Sequence, residues 1–310
     1  LQTANVASGQ QDNTAVGYLA GTNVTTGVSN TLIGSQAGDA LTDADLNTAV
    51  GKEALSSDTQ GSRSTAMGQG SLFSQNFTSA TDTYNTAYGF HSGLSITTGV
   101  SNTLIGSRAG DALTDADYNV ALGDGALSSD TQGSLSVAVG NYTLENQNFT
   151  SATNTYNTAV GNQAGNDITT GIQNTLIGGL AGTKLTDADY NVAVGVGALD
   201  LDTKGSKSTA IGYDALSTQN FTSSTDSNNT AVGYNAGAAV TTGTSNTLIG
   251  SGAGDSITTG YQNTIVGKSS GSAITEGHSN CTFGQNAGLN ITDGDGNVFV
   301  GQAAGHTLST

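Results

Sequence analysis

The pentapeptide Asn-Thr-Ala-Val-Gly at residues 13–17 returns in related form along the whole sequence, and this repeat constrains the fold more than any other feature. Seventeen copies are present, and each ends in a glycine. Successive glycines are 17 residues apart, as from Gly17 to Gly34, except at three places where they are 21 residues apart, as from Gly68 to Gly89. Self-similarity with a short, fixed period indicates an architecture in which each repeat packs only on its neighbours. The sequence therefore predicts a stack of seventeen turns of the chain, which we call rungs.

The rungs are grouped in blocks of four. Residues 30–35 return as residues 102–107, which defines a 72-residue superrepeat, and each of the first three blocks contains one 21-residue rung. This pattern continues to about residue 232, after which five regular rungs follow. The predicted organisation is a lead-in at residues 1–12, one continuous roll of rungs at residues 13–305 and a C-terminal end at residues 306–310.

Within each rung, apolar and β-branched residues alternate ahead of the glycine. The residue before the glycine is apolar, as at Val16 and Ile33, and the residue three before it is mostly Thr or Val, as at Thr14 and Val120. Residues two apart share one face of an extended strand, and the intervening Ala or Leu belongs to the opposite face. Because Gly and β-branched residues occur in every repeat, a helix is excluded. Short strands are therefore predicted.

The composition fits a thin, repetitive core. The chain has 45 Gly, no Pro, no Trp and only 10% charged residues, so it lacks the large side chains of a thick globular core. A second position alternates between Gly and Leu in the order Gly, Gly, Leu, Leu, and its leucines are expected to fill space that other rungs close with backbone. The predicted fold class is all-β, a parallel β-solenoid with seventeen mostly 17-residue rungs.

The charge balance excludes several partners. A formal net charge of −17 would repel both nucleic-acid phosphates and anionic membranes. No run of about 18 apolar residues is present, so the segment is expected not to insert into a membrane. The single Cys281 can form neither an intrachain disulfide nor a two-thiol metal site.

The Asn-[Ser/Thr]-Ala-[Val/Ile]-Gly-x-x-[Ala/Ser] pattern resembles the head repeat of trimeric autotransporter adhesins, which also occurs in bacteriophage tail-fibre proteins. The resemblance covers residues 13–305. It implies a left-handed β-roll, three copies of which associate side by side as a fibre. It also implies that the apolar column before the glycines packs in the core of the roll or between chains. The members singled out are Val16, Ile33, Val50, Ile105, Val160, Ile177, Val232 and Ile249.

The three 21-residue rungs are the first candidates for ligand binding, because their insertions are expected to project from one edge. Each contains Asn-Phe-Thr, and two of the three then have a tyrosine. An aromatic ring beside amide and hydroxyl groups could contact a sugar, and the alternative is that the phenylalanines fold back to close the loop. The candidate residues are Asn76, Phe77, Tyr84, Asn148, Phe149, Tyr156, Asn220 and Phe221.

Paired aspartates form a second candidate site. Carboxylates alternating along a loop could bind Ca²⁺, although neither the spacing nor a distal Glu matches a complete calcium loop. The preferred alternative is that these side chains bond their own backbone and form turns. The residues are Asp43, Asp45, Asp115, Asp117, Asp187, Asp189, Asp293 and Asp295. No other cofactor is expected.

Two further functional classes share individual features with this sequence. Paired carboxylates also occur in glycoside hydrolases, but an active site normally occurs once, whereas these pairs recur with the repeat, so no enzymatic activity is predicted. Regular Thr columns occur on ice-binding solenoids, but the Thr14 column contains Val120 and Val137, which indicates packing, and the Asn13 column is better explained as a hydrogen-bonded ladder inside the stack.

The function predicted from the sequence is that of a structural and adhesive extracellular fibre segment. It would be a homotrimer located in a phage tail fibre or on a bacterial surface and would contact a host-cell receptor or glycan. The alternatives left open are a bacterial trimeric autotransporter head, a passive structural spacer and an ice-binding solenoid.

Overall fold

The computed structural model describes residues 11–306, which form an all-β parallel β-solenoid of about 17 turns; no helix occurs in this range. The fold class predicted from the repeat is therefore confirmed. The chain consists of two compact units, and the boundary between them lies between Tyr156 and Asn157.

The first unit has eight strands of three residues and four strands of two residues. They are β1 (Thr14–Val16), β2 (Thr31–Ile33), β3 (Thr48–Val50), β4 (Gly61–Ser62), β5 (Thr65–Met67), β6 (Thr81–Asp82), β7 (Thr86–Tyr88), β8 (Thr103–Ile105), β9 (Val120–Leu122), β10 (Gly133–Ser134), β11 (Val137–Val139) and β12 (Thr153–Asn154). Each three-residue strand pairs in parallel with the next, so that Thr14 lies opposite Thr31 and Thr65 opposite Thr86. Among the two-residue strands, β4 pairs with β6 and β10 with β12.

The second unit continues the same pattern with nine strands of three residues and two of two residues. They are β13 (Thr158–Val160), β14 (Thr175–Ile177), β15 (Val192–Val194), β16 (Gly205–Ser206), β17 (Thr209–Ile211), β18 (Thr225–Asp226), β19 (Thr230–Val232), β20 (Thr247–Ile249), β21 (Thr264–Val266), β22 (Cys281–Phe283) and β23 (Val298–Val300). The two-residue strands β16 and β18 pair with each other. Every pairing is parallel and aligns equivalent residues of successive rungs.

The asparagine that directly precedes most of the three-residue strands belongs to a buried ladder. The Asn30 side chain accepts a hydrogen bond from the Asn47 backbone N–H (3.0 Å), and its Nδ2 donates to the Ala44 carbonyl (2.7 Å). In the second unit Asn246 is arranged in the same way, accepting from the Asn263 N–H and donating to the Gly260 carbonyl. Each amide thus satisfies two buried backbone groups, which would otherwise cost about 1–3 kcal/mol apiece. The predicted asparagine ladder is confirmed.

Where another rung follows, the glycine that ends the repeat is required by both conformation and space. Gly34 has φ +138°, a region essentially restricted to glycine, and a Cβ atom there would overlap the carbonyl oxygen of Gly51 in the next rung. The same contact recurs between Gly106 and Gly123 in the first unit and between Gly178 and Gly195 in the second. The close stacking of rungs therefore leaves no room for a side chain at these glycines.

The core is one side chain wide. A leucine fills it either from the centre of the strand or from the later position that alternates between Gly and Leu. Where the strand centre is Leu, as at Leu32, the later position is Gly38, whose Cβ would lie 2.7 Å from Leu32 Cδ2. Where that position is Leu, as at Leu55, the strand centre is Ala49, and both side chains are fully buried. Leu55 adopts φ +54° like the glycines it replaces, so burial must offset a conformational cost of about 1–2 kcal/mol. The predicted space-filling role of these leucines is confirmed.

Candidate ligand-binding and association surfaces

Each 21-residue rung is anchored by a buried aspartate. In the first block, Asp58 Oδ1 accepts hydrogen bonds from the backbone N–H groups of Gly61 and Phe77, both at 3.0 Å, and Oδ2 accepts one from Gln75 Nε2 at 2.6 Å. The Gln75 side chain also donates to Ser64 Oγ and accepts from Asn85 Nδ2. All these groups are buried, so the carboxylate holds the start of the insertion through charge-assisted hydrogen bonds.

The same anchor recurs in the other two blocks. Asp130 accepts from the N–H groups of Gly133 and Phe149 and from Gln147, all within the first unit. In the second unit, Asp202 accepts from Gly205, Phe221 and Gln219. The sequence analysis did not identify these residues, although a signal was present. Leu41 is buried in its rung, and the equivalent positions of the next two rungs, which contain Leu55 and Leu72, are occupied by Asp58 and Gln75. Polar residues at a position that is apolar and buried in a neighbouring rung indicate a buried polar contact.

The insertion phenylalanines are not available to a ligand. Phe77, Phe149 and Phe221 are only 7%, 8% and 6% exposed. The Phe77 N–H is held by Asp58, and its carbonyl accepts a hydrogen bond from Thr59 Oγ1 at 2.7 Å. The expectation that these rings contact a sugar is therefore wrong, and the alternative, that they fold back to close the loop, is correct.

The other candidates in the long rungs are accessible. Asn76, Asn148 and Asn220 are exposed, as are Tyr84 and Tyr156. Tyr84 donates a hydrogen bond from its hydroxyl to Asp82 Oδ2 (3.2 Å), and Arg63 Nε lies 2.8 Å from the other carboxylate oxygen. These side chains remain able to contact a ligand.

The paired aspartates form ladders between rungs. Asp45 Oδ1 accepts a hydrogen bond from the Val28 N–H at 2.8 Å, and Asp117 and Asp189 accept likewise from Val100 and Ile172. Asp295 accepts from the His278 N–H at 2.9 Å. Each bond spans 17 residues, so the expectation that these four side chains bond their own backbone is wrong.

Three outer members of these pairs make local contacts, since Asp43, Asp115 and Asp187 each lie 3.1–3.2 Å from the hydroxyl of the preceding threonine. Asp293 instead accepts from Thr275 Oγ1, 18 residues earlier, at 2.7 Å. Residues 11–306 contain no group of three or more His, Cys, Asp or Glu side chains placed to hold a metal ion.

The apolar column before the glycines faces outward. The strand residues that point inward are the central ones, such as Leu32 and Ala49, which are fully buried. The expectation that the outer column packs in the core of the roll is therefore corrected, since the next residue along a strand lies on the opposite face. Val16, Ile33, Ile177 and Ile249 are 58%, 38%, 40% and 39% exposed, and Val50, Ile105, Val160 and Val232 are half-buried.

Aromatic side chains extend this outer apolar surface. In the first unit Tyr88 and Phe90 are exposed, and together with Val50 and Met67 they line a shallow recess of about 280 Å³. In the second unit the exposed rings of Tyr213 and Tyr234 are stacked with their centres 5.4 Å apart. The outer face of the three-residue strands is thus an apolar surface that residues 11–306 leave uncovered.

A threonine ladder occupies another position of the rung. Thr25 Oγ1 donates to the Thr42 carbonyl at 3.1 Å, and Thr42 Oγ1 donates to the Thr59 carbonyl at 3.0 Å. In the second unit, Thr241 and Thr258 donate in the same way. These hydroxyl protons are engaged by the stack, so this regular column does not favour the ice-binding alternative.

Three equivalent aspartates are partly desolvated. Asp39, Asp111 and Asp255 each directly follow a glycine at the same place in the rung, as Asp39 follows Gly38. Burial raises the pKa of each carboxyl above its ordinary value of 3.8, and the Arg108 charge offsets part of this effect on the Asp111 pKa. The buried Oδ1 atoms of Asp39 and Asp255 have no hydrogen-bond partner among the described residues. Ionisation of these carboxylates therefore costs free energy in the folded state.

Replacing Asp39, Asp111 and Asp255 together by Asn is expected to raise the melting temperature at pH 7. Because the folded chain binds these protons more tightly than the unfolded chain, stability falls as the pH rises above 3.8 through the raised folded pKa values. The gain should shrink as the pH approaches 3, where both states are protonated. Thermal unfolding followed by circular dichroism at both pH values tests this, and a gain of equal size at pH 3 would contradict it.

Fold and site together define a repeat β-solenoid protein with long rungs anchored at buried aspartates and an uncovered outer apolar face. No protein-family model matches the chain, and no curated protein is similar enough to it to be assigned as a relative. Within residues 11–306 the structure has no helix of the length and apolarity that a membrane-spanning segment requires.

Proposed function

We propose that this chain is a structural and adhesive segment of an extracellular fibre, which associates as a homotrimer and contacts a host-cell surface receptor or glycan. The observation that carries the proposal is the outward apolar column, from Val16 and Ile33 in the first unit to Ile249 in the second. Soluble chains rarely expose continuous apolar surface of this kind without a partner that covers it. The number three comes from the resemblance to trimeric adhesin heads and tail-fibre repeats.

The remaining surface supports an adhesive role. Asn76 and Tyr84 in the first block, and Asn148 and Tyr156 in the second, are exposed on rungs whose backbone is pinned by a buried carboxylate. Such rigid positions suit recognition, because little conformational entropy is lost when a ligand binds. We propose the surface of a virion tail fibre or of a bacterial cell as the location, and we propose no enzymatic activity. A passive spacer is the main rival, since burial of the three phenylalanines leaves less aromatic surface in the insertions than expected.

Charging the outer column is expected to dissociate the assembly. The double variant Ile177→Lys/Ile249→Lys places two ammonium groups on the face proposed to lie between chains, where burying an unpaired charge costs several kcal/mol. Sedimentation equilibrium should report a mass near three times 30.7 kDa for the unaltered chain and near 30.7 kDa for the variant.

The matched control is Thr170→Lys/Thr242→Lys, which adds the same charges at exposed positions elsewhere on the rung. This control should keep the mass of the unaltered chain. A monomeric unaltered chain at micromolar concentration would overturn the proposed association. Equal dissociation of both variants would show that net charge, and not this face, determines it.

A further inference from the structure

One exposed column of the first unit carries a tyrosine on every second rung from Tyr84 to Tyr156, and Leu46 lies two rungs before Tyr84. The column lies two residues before each three-residue strand. Its members Leu46, Tyr84, Tyr118 and Tyr156 are 48%, 56%, 58% and 53% exposed. The residues between them are Arg63, Ser101 and Leu135. In the second unit Tyr190 occupies an equivalent position and is 48% exposed.

The backbone fixes the spacing of this column. The N–H groups of Leu46, Ser101 and Tyr118 donate to the carbonyls of Val28, Thr83 and Val100 in the preceding rungs. Neighbouring parallel strands are about 4.8 Å apart, so side chains on alternate rungs are spaced by about 9.6 Å. Tyr84 and Tyr118 are thus held in line at a constant interval.

These large side chains are costly where they stand. Leu46, Tyr84, Tyr118 and Tyr156 all have positive φ, between 52° and 59°, where a residue other than glycine is disfavoured by about 1–2 kcal/mol. Leu55 adopts a similar conformation but gains full burial. The tyrosines remain more than half exposed, although the Arg63 guanidinium lies 6.0 Å from the centre of the Tyr84 ring, and serine occupies the same position at Ser101. A conformational cost that burial within the chain does not offset is typical of functional sites.

We propose that this column, Leu46–Tyr84–Tyr118–Tyr156, is a binding site for an extended, uncharged, β-linked polysaccharide. In such a chain successive sugars are turned by about half a revolution, so the same ring face is presented once per disaccharide, an interval close to two rungs. Tyrosine rings present flat apolar faces to sugar rings. Exposed Asp82 and Asn154, two residues before Tyr84 and Tyr156, supply acceptors and a donor for sugar hydroxyls.

The charge of the protein restricts the ligand class. A net charge of −17 opposes binding of polysaccharides that carry carboxylate or sulfate groups. Within the column, Arg63 is paired with Asp82, so its charge is not free to attract an anion. An uncharged chain avoids this repulsion. The inference rests on the proposed adhesive function and deepens it by naming the ligand class and the residues.

The test is electrophoresis of the folded chain through native gels that contain hydroxyethyl cellulose, glucomannan or glycol chitin, with α-linked dextran as the comparison polymer. We expect retardation by at least one β-linked polymer and none by dextran. Tyr84→Ala/Tyr118→Ala should weaken the affinity by about tenfold or more, because two stacking contacts are lost. Tyr18→Ala, which removes an exposed tyrosine outside the column, should leave it unchanged.

The spacing itself is tested by the rearranged variant Ser101→Tyr/Tyr118→Ser. This variant has the same amino-acid composition as the unaltered chain, and both positions belong to the column and have φ near 58°. It differs in placing tyrosines on two adjacent rungs, at positions 84 and 101. It should lose affinity as the double alanine variant does; equal binding would overturn the two-rung argument. Failure of all three β-linked polymers to retard the chain would overturn the site. A trimeric mass that persists in that case would leave the proposed association standing, so the two failures are distinguishable.

Discussion

Replacing Gly106 by Ala is expected to destabilise the first unit by more than about 4 kcal/mol, a loss that only a few mechanisms can produce. The new Cβ would overlap the carbonyl oxygen and carbon of Gly123 in the next rung, and the φ of +139° is accessible essentially only to glycine. Both contacts are with backbone, so no side chain can move aside. Thermal and denaturant unfolding followed by circular dichroism measure the loss.

Two other glycines provide matched controls. Gly301 lies in the same column with φ +123°, but nothing lies within 4 Å of its Cβ position, so Gly301→Ala isolates the conformational cost. Gly179 has neither a left-handed φ nor a neighbour within 4 Å, and Gly179→Ala should change stability by no more than about 1 kcal/mol. The loss of stability is expected to be largest for Gly106→Ala, smaller for Gly301→Ala and smallest for Gly179→Ala. Equal effects at Gly106 and Gly301 would show that rung-to-rung contact is not the cause.

Replacing Asp58 by Ala is expected to cost at least about 3 kcal/mol. The substitution removes the acceptor for the Gly61 and Phe77 N–H groups and for Gln75 Nε2, and each buried donor left without a partner costs about 1–3 kcal/mol. Asp58→Asn keeps one acceptor oxygen but turns an amide donor toward the Gln75 amide, so its cost should be intermediate. The free energy of unfolding of the three proteins checks this order.

A local measurement separates loss of the anchor from a general loss of stability. Phe77 is buried against the rung and held through its backbone, so chymotrypsin should cleave after Phe77 faster in Asp58→Ala than in the unaltered chain. Asp43→Ala is the control, because Asp43 is exposed and its side chain accepts only locally, from Thr42. That variant should change stability by no more than about 0.5 kcal/mol. Unchanged cleavage in Asp58→Ala would contradict the anchoring role.

The candidate sites were predicted less completely than the fold. Tyr84 and Tyr156 are exposed as expected, but Phe77 is buried, because its backbone is held by a carboxylate 19 residues earlier in the chain. The bond from the Val28 N–H to Asp45 likewise joins residues 17 apart. A side chain of Asp or Asn can satisfy either its own turn or the backbone of a neighbouring rung. Composition and local pattern do not distinguish the two, since both are sound hydrogen bonds.

The sequence by itself determined the period, the positions of the strands and the all-β class. Each rung repeats the same β-branched residues, which favour strands, followed by a glycine, which disfavours a helix. It also determined the buried asparagine ladder, since an amide at that position recurs in nearly every rung. Only the tertiary structure decided which face of each strand is inside. The Leu32 and Ile33 columns are both apolar, and alternation shows which residues share a face without showing which face is buried. That choice follows from the space inside the rung, where Leu32 lies against Gly38 and where Ala49 and Leu55 are both fully buried, and it leaves Ile33 and its equivalents on the outer face.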